Sequence, residues 1–134
     1  MLGEKIYEAT GKEIGRRVLP SQGGGPRMES SFREAGKMLG VDVDNTGTYT
    51  AGMRPDGTLI GEGQGIAMTK DGDGVTWVGT GLGRIGQGGV ISYRGALYFQ
   101  TASPKFARLN SIVGVYEYEI DPSGSQKGRI WEWK

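Results

Sequence analysis

In two neighbouring segments of this chain glycine takes every second position, the period of a strand. Gly61, Gly63 and Gly65 take every second position of one segment, and Gly79, Gly81 and Gly83 do so in the next. Side chains of a strand alternate between faces, so each triplet strips one face of one strand. Between them, Lys70-Asp71-Gly72-Asp73-Gly74 is a strong reverse-turn signal. Folding the chain about Gly72 sets Gly65 against Gly79, Gly63 against Gly81 and Gly61 against Gly83. The result is a bare patch on one face of a hairpin. Glycine weakens a strand, so the patch needs a reason. It can open a cavity, admit bulky groups against the backbone, or let the sheet curve tightly. All three suit a small β-barrel.

Further turn signals divide the rest of the chain. They are Pro20 to Pro26, Asp44-Asn45-Thr46-Gly47, Arg54-Pro55-Asp56-Gly57, Gly86-Gln87-Gly88-Gly89 and Asp121-Pro122-Ser123-Gly124. Eight strands are predicted, over about 4–19, 26–39, 41–53, 58–69, 75–85, 90–101, 112–120 and 126–133. One short helix is predicted between strands six and seven. Ser103 stands at its N-cap, Pro104 at its first position, Phe106 and Leu109 on one face, and Asn110 at its close. Even spacing and almost no helix predict an all-β fold, an eight-stranded antiparallel up-and-down barrel over residues 1–134 as a single domain. Closure of the meander would remove exposed edges.

The inward face is harder to assign. The turn at Pro55-Asp56-Gly57 pairs Met53 with Leu59, Ala51 with Gly61 and Tyr49 with Gly63, which lays Tyr49 across the glycines. The Gly86–Gly89 link brings Trp77, Tyr98, Ala96, Arg94 and Ser92 onto that same face. Around strands three and four the opposite face is polar, so the glycines look inward. Around strands five and six the opposite face is the more apolar one. A bulge at Gly88-Gly89 or Gly95 would swap the faces. Alternatively, the glycine face stays inside throughout, and Val78, Leu82, Tyr93, Leu97 and Phe99 form an outer apolar patch that a soluble monomer rarely exposes. We adopt the second arrangement, which implies a homo-oligomer or cover by the short helix.

Composition narrows the chemistry. A net charge of +1 gives no electrostatic case for nucleic acid or an anionic membrane. The absence of cysteine removes disulfides, thiol nucleophiles and thiolate metal sites. The absence of histidine removes the commonest general base and metal ligand, and with it triad hydrolysis. The start, Met1-Leu2-Gly3-Glu4-Lys5, lacks the apolar run of a signal peptide, and no stretch approaches the roughly 18 apolar residues of a spanning helix. A cytoplasmic protein with no metal and no cofactor is expected.

Several motifs have plain explanations. Gly81-Leu82-Gly83-Arg84-Ile85-Gly86 matches a dinucleotide fingerprint, but a strand follows it where that motif needs a helix. Asp71-Gly72-Asp73-Gly74 resembles half a calcium loop and lacks the remaining ligands. Glu117 and Glu119 alternate with Tyr116 and Tyr118; carboxylates on an outward face are ordinarily solvated charge. Trp131 and Trp133 read as core packing rather than a stacking surface. Arg94, set within an apolar strand, would be an interior cation needing an anionic partner if it shared the glycine face.

The second half of the chain resembles small bacterial proteins of the allene oxide cyclase-like, lipocalin-like barrel group. The resemblance runs from Gly61-Glu62-Gly63-Gln64-Gly65 through Tyr93-Arg94-Gly95-Ala96-Leu97-Tyr98-Phe99 to Leu109-Asn110-Ser111-Ile112-Val113-Gly114-Val115-Tyr116-Glu117-Tyr118-Glu119. It implies a barrel with an apolar cavity and an oligomeric state. In the plant members it implies cyclisation of a fatty-acid epoxide. The expected function is binding of a small hydrophobic or amphipathic molecule, such as a fatty or aromatic acid. Phe32, Tyr49, Met53, Gly63, Trp77, Gly81 and Tyr98 would line the lumen, with Arg94 as polar anchor. A cofactor-independent isomerase or cyclase, and a packed barrel acting as an interaction module, are the alternatives. No catalytic residue is assigned.

Overall fold

A computed structural model describes the whole chain, Met1–Lys134. The strands are β1 (Leu2–Gln22), β2 (Gly25–Met38), β3 (Val41–Met53), β4 (Leu59–Met68), β5 (Gly74–Ile85), β6 (Ile91–Gln100), β7 (Val113–Ile120) and β8 (Ser125–Trp133). Each pairs antiparallel with its sequence neighbours, and β8 returns to β1, which closes an up-and-down barrel. One 3-10 helix, Pro104–Ser111, links β6 to β7, and a 3-10 turn at Gln87–Gly89 links β5 to β6. No helix is long and apolar enough to cross a membrane.

Turn chemistry set these boundaries, with one exception. Asp44-Asn45-Thr46-Gly47 is not a turn but part of β3. The β2–β3 reversal falls instead at Leu39 and Gly40, both at positive φ, which matches the twist of the flanking strands. Asn45 and Gly47 face inward, where one makes hydrogen bonds and the other makes room for rings.

The glycine hairpin turns one residue earlier than its symmetry predicts. The Thr69 amide donates to the Asp73 carbonyl and the Gly72 amide to the Thr69 carbonyl, so Met68 faces Gly74. Gly61 then pairs with Gly81 and Gly63 with Gly79, while Gly65 faces Trp77 and Gly83 faces Leu59. The shift is two residues along the ladder, an even number, so the glycines stay on the inner face. The β3–β4 register is the predicted one, with Tyr49 opposite Gly63.

The β5–β6 link decides the rest of the lumen, and it overturns the arrangement adopted from the sequence. It runs from Gly86 to Val90, closed by the Gly86 amide on the Val90 carbonyl, with Gly88 and Gly89 at positive φ. That is one residue longer than Gly86–Gly89, and one residue reverses every side chain of the following strand. Trp77 therefore faces Phe99, Gly79 faces Leu97 and Gly83 faces Tyr93. Tyr93, Leu97 and Phe99 are buried inside. Arg94, Ala96 and Tyr98 point outward, and of the expected outer patch only Val78 and Leu82 are exposed.

The bare strands make room for rings. A methyl group on Gly47 would stand 2.6 Å from the Trp77 ring and 2.7 Å from Phe32; one on Gly65 would collide with Trp77 again. A methyl on Gly83 would stand 2.6 Å from Tyr93, and one on Gly81 would strike the Tyr116 hydroxyl. At Gly95 the obstacle is main chain rather than a ring. A methyl there would run into the backbone of β5 at Thr80 and Gly81, so this glycine permits the close approach of a tightly coiled sheet.

One end of the barrel is plugged. Phe106 and Leu109 of the 3-10 helix are fully buried against Ile6, Met38, Val43, Ala67, Val75 and Phe99. Asn110 clamps the helix to the end of β6: its side chain accepts from the Thr101 amide at 2.8 Å and donates to the Thr101 carbonyl at 3.0 Å. Ser103 does not cap the helix; its hydroxyl donates to Asp73 at 2.9 Å. The tryptophans of β8 also depart from expectation. Trp131 is half-buried and Trp133 is exposed, because Gln126, Ile130 and Glu132 take the inner face.

Gly63→Val tests the close packing. A Cβ at this position lies 2.7 Å from the Tyr49 Cβ and 2.8 Å from the Thr48 carbonyl, neither of which can swing aside. The variant should lose about 1–3 kcal/mol, the usual cost of overpacking, in chemical denaturation. An unchanged midpoint would contradict the inward assignment.

Candidate functional site

Above the apolar plug the lumen becomes aromatic and polar. β2 supplies Phe32 and Glu34, β3 Asn45 and Tyr49, β5 Trp77, β6 Tyr93, and β7 Tyr116 and Tyr118. Each sits at an inward position of its strand, opposite or diagonal to a glycine. The rings form a connected set. Phe32 contacts Trp77 at 6.2 Å between centroids and Tyr118 at 5.8 Å; Tyr49 meets Tyr118 and Tyr93 edge-on at 5.9 and 5.7 Å. The space they leave is a cavity of about 90 Å³. A dry cavity that admits benzene measures roughly 150 Å³. The lumen thus suits a ligand smaller than benzene, not a long acyl chain.

One carboxylate faces this space. Glu34 is buried, 6% exposed. The Tyr7 hydroxyl donates to its Oε1 at 2.5 Å and the Asn45 amide to the same oxygen at 3.1 Å. Gln126 donates to Oε2 at 2.9 Å. A further tier orients these donors: Trp77 Nε1 donates to Asn45 Oδ1 at 2.8 Å, and the Tyr118 hydroxyl donates to Gln126 Oε1 at 2.6 Å. The network draws on six strands, and no buried side-chain polar atom in the protein lacks a partner. Three donors leave the carboxylate one acceptor position free.

Burial pushes the Glu34 pKa above the ordinary carboxyl range, against the lowering effect of its hydrogen bonds from Tyr7, Gln126 and Asn45. Burial raises the phenol of Tyr7, aided by the negative charge of Glu34, and that of Tyr118, aided first by Tyr49. Tyr116 is pushed up to about 12, chiefly by burial. All these tyrosines stay neutral donors at physiological pH. At the rim, the Ser30 hydroxyl donates to Glu13 at 2.5 Å and Arg16 pairs with Glu13 at 3.0 Å.

Of the residues the sequence proposed, the structure brings Phe32, Tyr49, Gly63 and Trp77 to the cavity. Gly81 faces inward beneath Tyr116, and Met53 sits half-buried opposite Leu59 at the rim. Arg94 and Tyr98 are displaced. Arg94 stands on the outer face, its side chain 71% exposed and paired with Glu117, and Tyr98 is 57% exposed. The longer β5–β6 link is the cause, and it removes the cation on which an acidic ligand depended. Glu117 and Glu119 lie outside, as ordinary solvated charge, with Tyr116 and Tyr118 inside. Sequence reasoning passed over Glu34, Tyr7, Asn45 and Gln126. The signal was present in β2: Ser30, Phe32, Gly36 and Met38 share the inner face with Glu34, a lone charge among uncharged neighbours.

No family model matches the sequence, and no curated protein does. The fold is shared with solved bacterial structures. A protein of unknown function from Clostridium acetobutylicum superposes with a TM-score of 0.83 at 14% identity, over 98% of both chains. A conserved protein of unknown function from Rhodopseudomonas palustris gives 0.80 at 17%, over 98% of this chain and 97% of that one. A beta-barrel like protein from Acinetobacter baumannii gives 0.83 at 14%, over 98% and 94%. At such identities the likeness carries the fold alone, which is the barrel that the family resemblance implied.

Linkage gives the Glu34 network a measurable sign. A carboxyl whose folded pKa exceeds its unfolded value adds stability below the unfolded pKa and loses it as pH rises through the folded one. Denaturation midpoints taken between about pH 4 and pH 8 should therefore fall further in the parent than in Glu34→Gln. Parallel curves would show that Glu34 ionises as freely in the fold as in the unfolded chain.

Proposed function

We propose that the protein binds a small, compact molecule inside its barrel, one with an apolar body and a neutral or cationic hydrogen-bond donor. The observation that carries this reading is the cavity of about 90 Å³ walled by Phe32, Tyr49, Trp77 and Tyr93 with the Glu34 carboxyl at its side. Apolar walls with a few convergent polar groups are the usual design of small-molecule sites. The lumen holds a carboxyl and no cation, so an anion would find no partner there, while a donor would find the free acceptor position of Glu34. The fatty or aromatic acid expected from Arg94 is accordingly replaced by an amine or alcohol of similar shape and smaller size.

A second reading rests on Glu34 itself. A buried carboxyl with a raised pKa, held by oriented donors beside a cavity, has the properties of a general acid or base. This would fit a cofactor-independent isomerase of the allene oxide cyclase-like kind, acting on a substrate small enough for the lumen.

Thermal unfolding in the presence of n-butylamine, n-butanol or n-butyrate tests the binding reading. The amine and the alcohol should raise the midpoint in a saturable way, as any ligand selective for the folded state does. Butyrate should not. Glu34→Gln should weaken the amine more than the alcohol. Stabilisation by butyrate alone, or by none of the three, overturns the proposal.

A further inference from the structure

The protein buries two carboxylates, and they are answered differently. Glu132, beside the short helix, pairs with Arg108 at 3.4 Å and with Lys134 at 3.6 Å. Glu34 has no cationic partner. A buried charge is ordinarily balanced by one of opposite sign.

The hydrogen bonds around Glu34 show which of its oxygens is open. The Trp77 indole can only donate, so its bond to Asn45 Oδ1 turns the amide nitrogen of Asn45 toward Tyr7 and Glu34. The Tyr7 hydroxyl accepts from that nitrogen at 3.1 Å and gives its own proton to Oε1. Oε1 thus receives two donors, Tyr7 and Asn45, while Oε2 receives only Gln126. The open acceptor position is on Oε2. Surroundings made of donors suit the ionised carboxylate, while burial opposes it. A cation at Oε2 resolves that conflict.

Space for one lies beside this oxygen. Gly128 of β8 lines the cavity, and a methyl group built on it would stand 3.6 Å from Oε2 and 3.9 Å from Cδ1 of the Tyr118 ring. Both are ordinary van der Waals distances, so one open spot touches a carboxylate and an aromatic ring at once. The Tyr118 ring stands 5.8 Å from Phe32 and 5.9 Å from Tyr49, centroid to centroid. Aromatic rings attract cations through the negative potential of their faces, most strongly where water is excluded, and sets of such rings suit methylated ammonium groups. A metal ion fits poorly. It needs several oxygen ligands, and around Glu34 no second carboxylate joins it while Asn45 and Tyr7 present hydrogens.

Resting on the lumen-binding reading above, we propose that the ligand is a small methylated ammonium ion, whose N–H donates to Glu34 Oε2 over Gly128 and whose methyl groups lie against Tyr118, Phe32 and Tyr49. The ion is the counter-charge that the chain itself omits. Trimethylammonium is smaller than benzene, as the cavity of about 90 Å³ requires.

Isothermal titration calorimetry with trimethylammonium chloride and isopropanol tests the assignment. The two are alike in size and both can donate, but only the first is charged. The parent should bind trimethylammonium at least about tenfold more tightly than isopropanol, because a charge-assisted hydrogen bond and the rings both favour the cation. Plain ammonium chloride, without methyl groups, should bind more weakly than trimethylammonium. Glu34→Gln should bring trimethylammonium and isopropanol to within about threefold of each other. Gly128→Ala fills the open spot without a clash, so it should weaken trimethylammonium at least about tenfold while circular dichroism is unchanged and the thermal midpoint does not fall. Isopropanol binding to the parent as tightly as trimethylammonium overturns the ammonium assignment and leaves lumen binding standing. A preference that survives Glu34→Gln, or a Gly128→Ala variant that binds like the parent, overturns it too. Binding of neither compound overturns this inference and the lumen reading together.

Discussion

The apposition of large inward rings to bare backbone is the constraint on which the rest of this barrel depends. Trp77 lies over Gly47 and Gly65, Tyr93 over Gly83 and Tyr116 over Gly81. An eight-stranded barrel has an interior just wide enough for side chains to fill. Rings of this bulk fit only because the strands opposite them contribute no side-chain volume. The glycines cost strand stability, and the rings return it as buried area and edge-on contacts. The arrangement also fixes where polar groups can go. Rings with an N–H or O–H bring donors inward, and those donors need acceptors. Asn45, Glu34 and Gln126 answer that need, so the hydrogen-bond network is a consequence of the ring packing as much as a site in its own right.

A burden of charge accompanies this solution. Removing a carboxylate from water is unfavourable unless it is well bonded, and Glu34 receives three donors, two of them oriented by a second tier. An apolar residue of similar size would satisfy the packing but leave the amides and phenols without acceptors. The retention of an ionisable group at this depth, next to unfilled space, is what separates this lumen from a merely packed core.

The extent to which the sequence disclosed this follows from the range of each signal. Strand boundaries were legible because turns are local: Pro55-Asp56-Gly57 and Asp121-Pro122-Ser123-Gly124 act where they stand. The inward direction of β3 to β5 was legible because the glycine triplets mark a face regardless of register, which is why a two-residue slip at Asp71 did no harm. The inward direction of β6 was not. It turned on whether Val90 belongs to the strand or to the link, and composition does not resolve one residue. Arg94 and Tyr98 were misplaced together for that reason. The Glu34 network was hidden differently. Its members lie on β1, β2, β3, β5, β7 and β8, with Glu34 and Gln126 92 positions apart in sequence, and closure of the barrel alone brings them together.

The short helix that seals one end has a consequence for traffic through the barrel. With Phe106 and Leu109 seated among the inward residues and Asn110 fastening the helix to β6, the lumen is a blind alley. A molecule that entered the lumen would have to leave by the end opposite the helix. A vessel of this shape can hold, present or transform its guest, but it cannot pass that guest from one side of the molecule to the other.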